Sequence, residues 1–221
     1  MKHHSPASSS ARPLDALLAQ YASGSLPHPL HVLVGSHLDL NPKSEAFVSR
    51  LEVLGGLQIA GQAPHPVASR DRMLAEIMML DRQQPGDASA VSPDPVFTET
   101  LRDYVGRASA DVPWRSVLPG VKEYVVSSEN GVEAKLYWIK AGRKMPSHTH
   151  EGQEVTLVLK GGFADTSGRY RRGEIAIADE DIDHKPVADM DEDCICFAVT
   201  DAPLKLTGPV ARFFQGLIGK H

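Results

Sequence analysis

The stretch Gly142-Arg-Lys-Met-Pro-Ser-His148-Thr-His150-Glu-Gly-Gln-Glu154-Val-Thr-Leu-Val-Leu-Lys-Gly161 decides how the rest of the 221-residue chain is read. His148 and His150 stand at i and i+2 of an extended segment, so both imidazoles point to one face. Glu154 keeps the same parity, ahead of a strand whose other face is Val155, Leu157 and Leu159. Imidazoles and a carboxylate converging inside a barrel suit a divalent first-row metal. His184 is the fourth candidate, because it follows the turn at Gly173 and the segment Glu174 to Ala178, and a hairpin would return it beside the first pair. The acids Glu151, Asp179, Glu180, Asp181 and Asp183 are too numerous to serve one ion and read as a solvated loop.

Around this motif, period-two segments run through Val121 to Val126, Val132 to Ile139, Glu154 to Leu159, Glu174 to Ala178 and Cys194 to Val199. The turns between them include Glu129-Asn130-Gly131, Lys160-Gly161-Gly162 and Arg171-Arg172-Gly173. Short strands at such spacing predict an antiparallel barrel or sandwich. Cys194 and Cys196 are the only two cysteines, so the fold is not built on disulfides, which suits a reducing cytoplasm. They share one face of a strand and are badly placed to bond each other. They read as buried inert thiols, with a redox-sensitive pair near the metal as the sharper alternative.

Before the strands the period is helical. Leu14, Leu17, Leu18 and Tyr21 form one stripe, with Pro13 in its first turn and Gly24 as its stop. Leu30, Leu33, Val34, His37 and Leu38 form a second. A third, through Phe47, Val48, Leu51 and Leu54, opens at Asn41-Pro42 and is expected to close at Gly55-Gly56, with Asn as N-cap and Pro at the first helical position. The fourth, Met73, Leu74, Ile77 and Leu80, follows Ser69. Together with Met78 and Met79 it offers a flexible apolar face suited to a partner groove or to ordinary core. Residues 1–12 are too polar to anchor a core, and Gln83 to Pro95 is rich in Pro, Ser, Gly and Asp. The expected organisation is a disordered tail (1–12), a helical domain (13–82), a linker (83–96) and a barrel domain (97–221), with a short closing helix over 210–218. The class is α+β: a small all-α unit, then an antiparallel, jelly-roll-like β-barrel, with the linker uncoupling two cores.

Charge narrows the function. Of 23 basic and 28 acidic side chains, seven of each lie in residues 1–82, so the net charge of -5 arises from the 16 basic and 21 acidic residues beyond. Neither half has the basic face that duplex binding requires, which argues against direct DNA binding. No apolar run reaches the roughly 20 residues that span a bilayer, and the polar start lacks a secretory apolar region.

The run of Gly142, five residues, H-x-H, three residues, Glu, six residues and Gly161 resembles the first motif of the cupins. That resemblance implies His148, His150, Glu154 and His184 as metal ligands. The second cupin motif is partly kept: Gly173 and His184 fit, whereas the usual P-x-G turn reads Asp179-Glu180-Asp181. A helical unit, a Pro-rich linker and a cupin that closes on Asp193-Cys194-Ile195-Cys196 and Thr200-Asp201-Ala202-Pro203-Leu204 resemble the ChrR-type anti-sigma factors of bacteria. Asp15 to Leu26, Asp103-Tyr104-Val105-Gly106-Arg107 and Ile175 to Val187 carry the same likeness. The resemblance implies a cytoplasmic regulator whose helical domain sequesters an extracytoplasmic-function (ECF) sigma factor. It also implies a cupin domain that holds one divalent metal and is linked to release under oxidative stress. Zinc is the first expectation for the metal, with iron, manganese or nickel as alternatives. A homodimer is compatible with the cupin half. The alternative reading is a metal-dependent cupin enzyme such as a dioxygenase or isomerase, because the same ligands serve both.

One departure stands out. The family's zinc motif in the helical domain, H-x-x-x-C-x-x-C, reads here His37-Leu-Asp-Leu-Asn41-Pro-Lys-Ser44, and Arg12 falls about where the upstream ligand histidine would be. Asn and Ser are poor zinc ligands. His37 is therefore expected to be a hydrogen-bonded helix histidine, Asn41 a cap, and the helical half free of metal.

Overall fold

The computed structural model describes residues 13–80, 93–179, 182, 184–202 and 204–206, with backbone alone at His150 and 204–206. The expected tail, most of the expected linker and the closing helix over 210–218 lie outside the described residues.

The helices follow their apolar stripes. α1 (Pro13–Ala22) and α2 (His28–Leu40) bury Leu17, Leu18, Val32, Leu33 and Val34. At the elbow into α3 (Pro42–Ala60), Asn41 accepts a hydrogen bond from the Ser44 N–H at 3.2 Å, the cap that the Asn-Pro pair predicts. α3 does not stop at Gly55-Gly56 but runs on to Ala60. Each glycine costs about 1 kcal/mol of helix propensity, yet nothing there drives the chain into the left-handed region that ends a helix. α4 (Arg70–Met79) follows Ser69, which adopts φ 62° and makes no side-chain cap. The short α5 (Glu99–Val105) has no stripe long enough to stand out in the sequence and is started by Thr98, whose hydroxyl accepts from the Leu101 N–H at 3.2 Å.

Among the described residues eleven strands follow, and every paired neighbour is antiparallel. β1 (Arg115–Leu118), β2 (Val121–Glu129), β3 (Val132–Ile139), β5 (Glu154–Lys160), β8 (Ile175–Ala178) and β10 (Cys194–Thr200) make a six-stranded sheet in the order β1-β2-β3-β10-β5-β8. β6 (Gly162–Ala164), β7 (Arg169–Arg171) and β9 (Val187–Ala188) form a second sheet, and β4 (His148–His150) pairs with β11 (Leu204–Leu206). Gly161 turns β5 into β6 at φ 65°, where a Cβ would meet the Asp193 carbonyl oxygen at 2.6 Å, so only glycine fits this close of the motif.

The middle of the large sheet is buried on both faces, and period two sorts its side chains. Glu154, Thr156 and Val158 of β5 and Cys194 and Cys196 of β10 face the barrel interior. Val155, Leu157 and Leu159 of β5, with Phe197 and Val199 of β10, face outward into one apolar cluster with Leu17, Leu18, Leu33, Val34 and Leu101 of the helices. The expectation of two uncoupled cores is thereby corrected. α1, α2 and α5 cover the outer face of the sheet, because a row of fully buried aliphatic side chains there must be shielded from water. Val96 and Phe97, where the description resumes after the Pro-rich segment, belong to this same cluster.

A polar clasp reinforces that interface. His37 of α2 is buried, its Nδ1–H donates to the Gly173 carbonyl of the β7–β8 turn at 2.7 Å, and its Nε2 accepts from the Ser44 hydroxyl at 2.8 Å. A carbonyl can only accept, so Nδ1 carries a proton, and burial, which lowers the pKa of His37, favours the neutral ring in which Nε2 is the acceptor. Gly173, at φ 82°, brings its backbone so close to the elbow that a Cβ would stand 3.0 Å from Leu40 Cβ. His37 is thus the hydrogen-bonded helix histidine that the missing cysteines predict.

Two outcomes follow from this packing. Leu33→Ala empties a fully enclosed position and is expected to cost about 2–5 kcal/mol. Since the core is shared, thermal unfolding followed by far-UV circular dichroism and by Trp114 and Trp138 fluorescence should shift as one transition. Burial lowers the pKa of His37 below its usual 6.5, with the Gly173 bond opposing. The stability it contributes is therefore complete above about pH 6.5 and is lost as the pH falls, because the unfolded chain takes up the proton that the folded one refuses. In pH-dependent denaturant melts, His37→Gln should flatten part of that acid-side slope.

Candidate metal centre

β4 and the loop before β9 meet through their backbones. The His148 N–H donates to the His184 carbonyl and the His184 N–H to the His148 carbonyl, each at 3.1 Å. This antiparallel bridge is what brings His184 to the motif, and it sets the two rings 4.3 Å apart between centroids. Glu154, the first residue of β5, enters from the facing sheet. One potential ligand atom from each of His148, Glu154 and His184 lies within 4.8 Å of the others. The backbone of His150 pairs with Leu204 in the β4–β11 ladder, and its side chain lies outside the described residues. Of the neighbouring acids, Glu151 and Asp179 are exposed, while Glu180, Asp181 and Asp183 are outside the description.

Each histidine is oriented by an acceptor at Nδ1. His148 donates to the Pro146 carbonyl at 2.8 Å, and His184 to Asp165 Oδ2 at 3.0 Å. With Nδ1 carrying the proton in both rings, Nε2 is the nitrogen able to ligate a metal. Glu154 accepts from the Thr156 hydroxyl at 3.2 Å. Burial pushes its carboxyl above the usual range; His184, the Thr156 bond and Lys135 oppose this, and the nearby Asp165 carboxylate adds to it. Two imidazoles set to offer Nε2, facing a buried carboxylate held above its ordinary pKa, form a donor set that fits a divalent cation: the ion supplies the positive charge that burial makes the site lack. A bound ion there would act as a Lewis acid toward a small molecule entering the cavity, whose wall includes Tyr137, Ile139, Phe163 and Tyr170.

Cys194 and Cys196 are both buried with sulfurs 3.4 Å apart, and Cys196 lines the same cavity. Its contact with Cys194 raises the Cys196 thiol well above its usual pKa, and burial adds to the effect. A protonated, enclosed thiol is a slow nucleophile, which accords with the inert reading. Asp165 is the residue that sequence reasoning passed over. Asp165-Thr-Ser-Gly168 signals a turn, but nothing local shows that its second oxygen meets a histidine 19 residues later.

Comparison with known proteins places this architecture. A family model described as the ChrR Cupin-like domain matches residues 103–203. The anti-sigma-E factor ChrR of Cereibacter sphaeroides is 40% identical over 202 residues, which is 91% of this chain and 94% of that one. In the crystal structure of Rhodobacter sphaeroides SigE in complex with the anti-sigma ChrR, a chain of 34% identity superposes with a TM-score of 0.71, covering 90% of this chain and 98% of its own length. With 40% identity sustained over 91% of its length and a ChrR cupin-like domain over residues 103–203, the chain belongs to the ChrR family of anti-sigma factors.

Proposed function

We propose that this chain sequesters an ECF sigma factor through the exposed apolar faces of α3 and α4, and that its cupin half holds a metal whose site takes part in release under oxidative stress. The observation that carries the reading is where apolar surface is left over. α1, α2 and α5 spend their stripes on the sheet, whereas α3 buries only Ser44 and Val48, and α4 buries nothing. Among the described residues, Val53, Leu54, Leu57, Ile59, Val67, Met73, Leu74, Ile77, Met78, Met79 and Leu80 are exposed, against three large apolar side chains elsewhere. Exposed apolar side chains concentrated on two helices mark a protein-docking face, and methionine-rich helices adapt to a groove. The relative seen in complex with SigE supports a sigma factor as the occupant. No described helix is long and apolar enough to cross a membrane, and a sigma-binding regulator works in the cytoplasm.

The ligand set for the metal is His148, His150, Glu154 and His184, with zinc favoured because imidazole and carboxylate suit it and because it adds no redox chemistry of its own. The helical half holds no ion in this reading: His37, Asn41 and Ser44 already satisfy one another by hydrogen bonds.

Leu74→Asp with Met78→Asp is expected to leave the fold unchanged, since both positions are exposed, and to weaken sigma binding about 30-fold or more. Isothermal titration against each ECF sigma factor of the source organism measures this; unaltered affinity would move the docking face elsewhere. Elemental analysis of the purified chain should find one divalent ion, lost in Glu154→Gln and in His148→Ala. Retention of the ion by residues 13–80 alone would contradict the assignment.

A further inference from the structure

We propose that Asp165 is a positioning residue for the metal: its carboxylate holds the His184 imidazole in the tautomer and orientation in which Nε2 faces the ion. This rests on the metal reading above and adds a residue to it. Both side chains are enclosed, His184 at 5% and Asp165 at 3% exposure, with Nδ1 and Oδ2 3.0 Å apart. The other carboxylate oxygen is already committed, because Oδ1 accepts from the Ser167 N–H at 2.8 Å and the Gly168 N–H at 3.1 Å in the β6–β7 turn. The turn therefore locks the carboxylate, and the locked carboxylate aims the ring.

The need for such a device is geometric. The backbone bridge to His148 places the Cα of His184 but leaves its two side-chain torsions undetermined. Asp165 removes that freedom before any ion arrives, so less ordering accompanies binding. A carboxylate accepts only, which sets the proton of His184 on Nδ1.

Asparagine cannot reproduce this. Its single oxygen can serve either the two turn N–H groups or the His184 Nδ1–H. Its amide then points donors at the remaining side, breaking the turn or turning the histidine to the tautomer that cannot ligate. Loss of such an outer partner lowers metal affinity by about 10–100-fold.

The test uses the full chain with cobalt(II) as the probe, whose visible spectrum reports ligand geometry, and zinc measured by competition with a chelator. Asp165→Asn should bind both about 10–100-fold more weakly with an altered cobalt spectrum, whereas Asp165→Glu, which keeps charge and acceptor, should regain part of the loss. In an Asp165→Asn/His184→Ala double variant, the aspartate change should add nothing to the histidine change. A measurement on the unaltered metal-free chain needs no variant to fold: nitrogen-detected NMR should find the proton of His184 on Nδ1 at neutral pH. A proton on Nε2, or cobalt affinity and spectrum preserved within about twofold in Asp165→Asn, would overturn the proposal and leave the metal site standing. Absence of any cobalt uptake by the unaltered chain would overturn the metal reading and this proposal with it.

Discussion

Burial of both faces of β3, β5 and β10 governs the rest of the molecule. A strand in such a sheet has no solvent side, so its odd and even residues belong to different interiors: one the barrel cavity, the other a helix–sheet core. The outer row is aliphatic and completely enclosed, and covering it consumes the apolar stripes of α1, α2 and α5. What remains unsatisfied is the far half of α3 and all of α4. The barrel thus acts as the scaffold that presents a docking surface, and the docking surface is defined by what the barrel does not cover.

The helix elbow shows how one interaction replaces another. The resemblance implies a zinc held by thiolates and imidazole at this elbow, where the sequence has Asn41 and Ser44 in place of the two cysteines. Here His37, Ser44 and Asn41 close the same corner with neutral hydrogen bonds, each worth about 1 kcal/mol. His37 also reaches the Gly173 carbonyl, and Leu40 lies against Gly173. The elbow leans on the barrel. Its rigidity is therefore tied to the cupin half, which gives a change in one half a physical route to the other.

The cavity follows opposite electrostatics. Glu154 and Asp165 are enclosed acids near one another, and the histidines are held with Nδ1 protonated by acceptors chosen from the backbone and from Asp165. Two imidazoles set to offer Nε2 opposite a buried carboxyl group are a donor set that suits a divalent cation. Cys196 sits on the same wall, but its thiol is hydrogen-bonded to Cys194 and held well above its usual pKa, so the chemistry of the cavity rests on the histidines and the carboxylates.

Much of this was written locally. Alternation over a few residues placed β2, β3, β5, β8 and β10 within a residue or two of their ends, apart from the longer C-terminal end of β2, and the parity of His148 and Glu154 set them on the inward face. Asn41-Pro42 announced the elbow, and the missing cysteines announced that hydrogen bonds would fill it. Such features depend on backbone period and on side chains bonding within a turn, which are properties of short segments. The double glycine of α3 misled because a glycine ends a helix only where the chain needs a left-handed φ, and that need is not encoded by the glycine itself. The tertiary structure alone decided that the helices share the sheet's core, that His37 meets Gly173, that His184 bridges to His148 and that Asp165 aims it. Each joins residues whose meeting depends on how the whole sheet closes, and closure is a property of the packed chain that no local period carries.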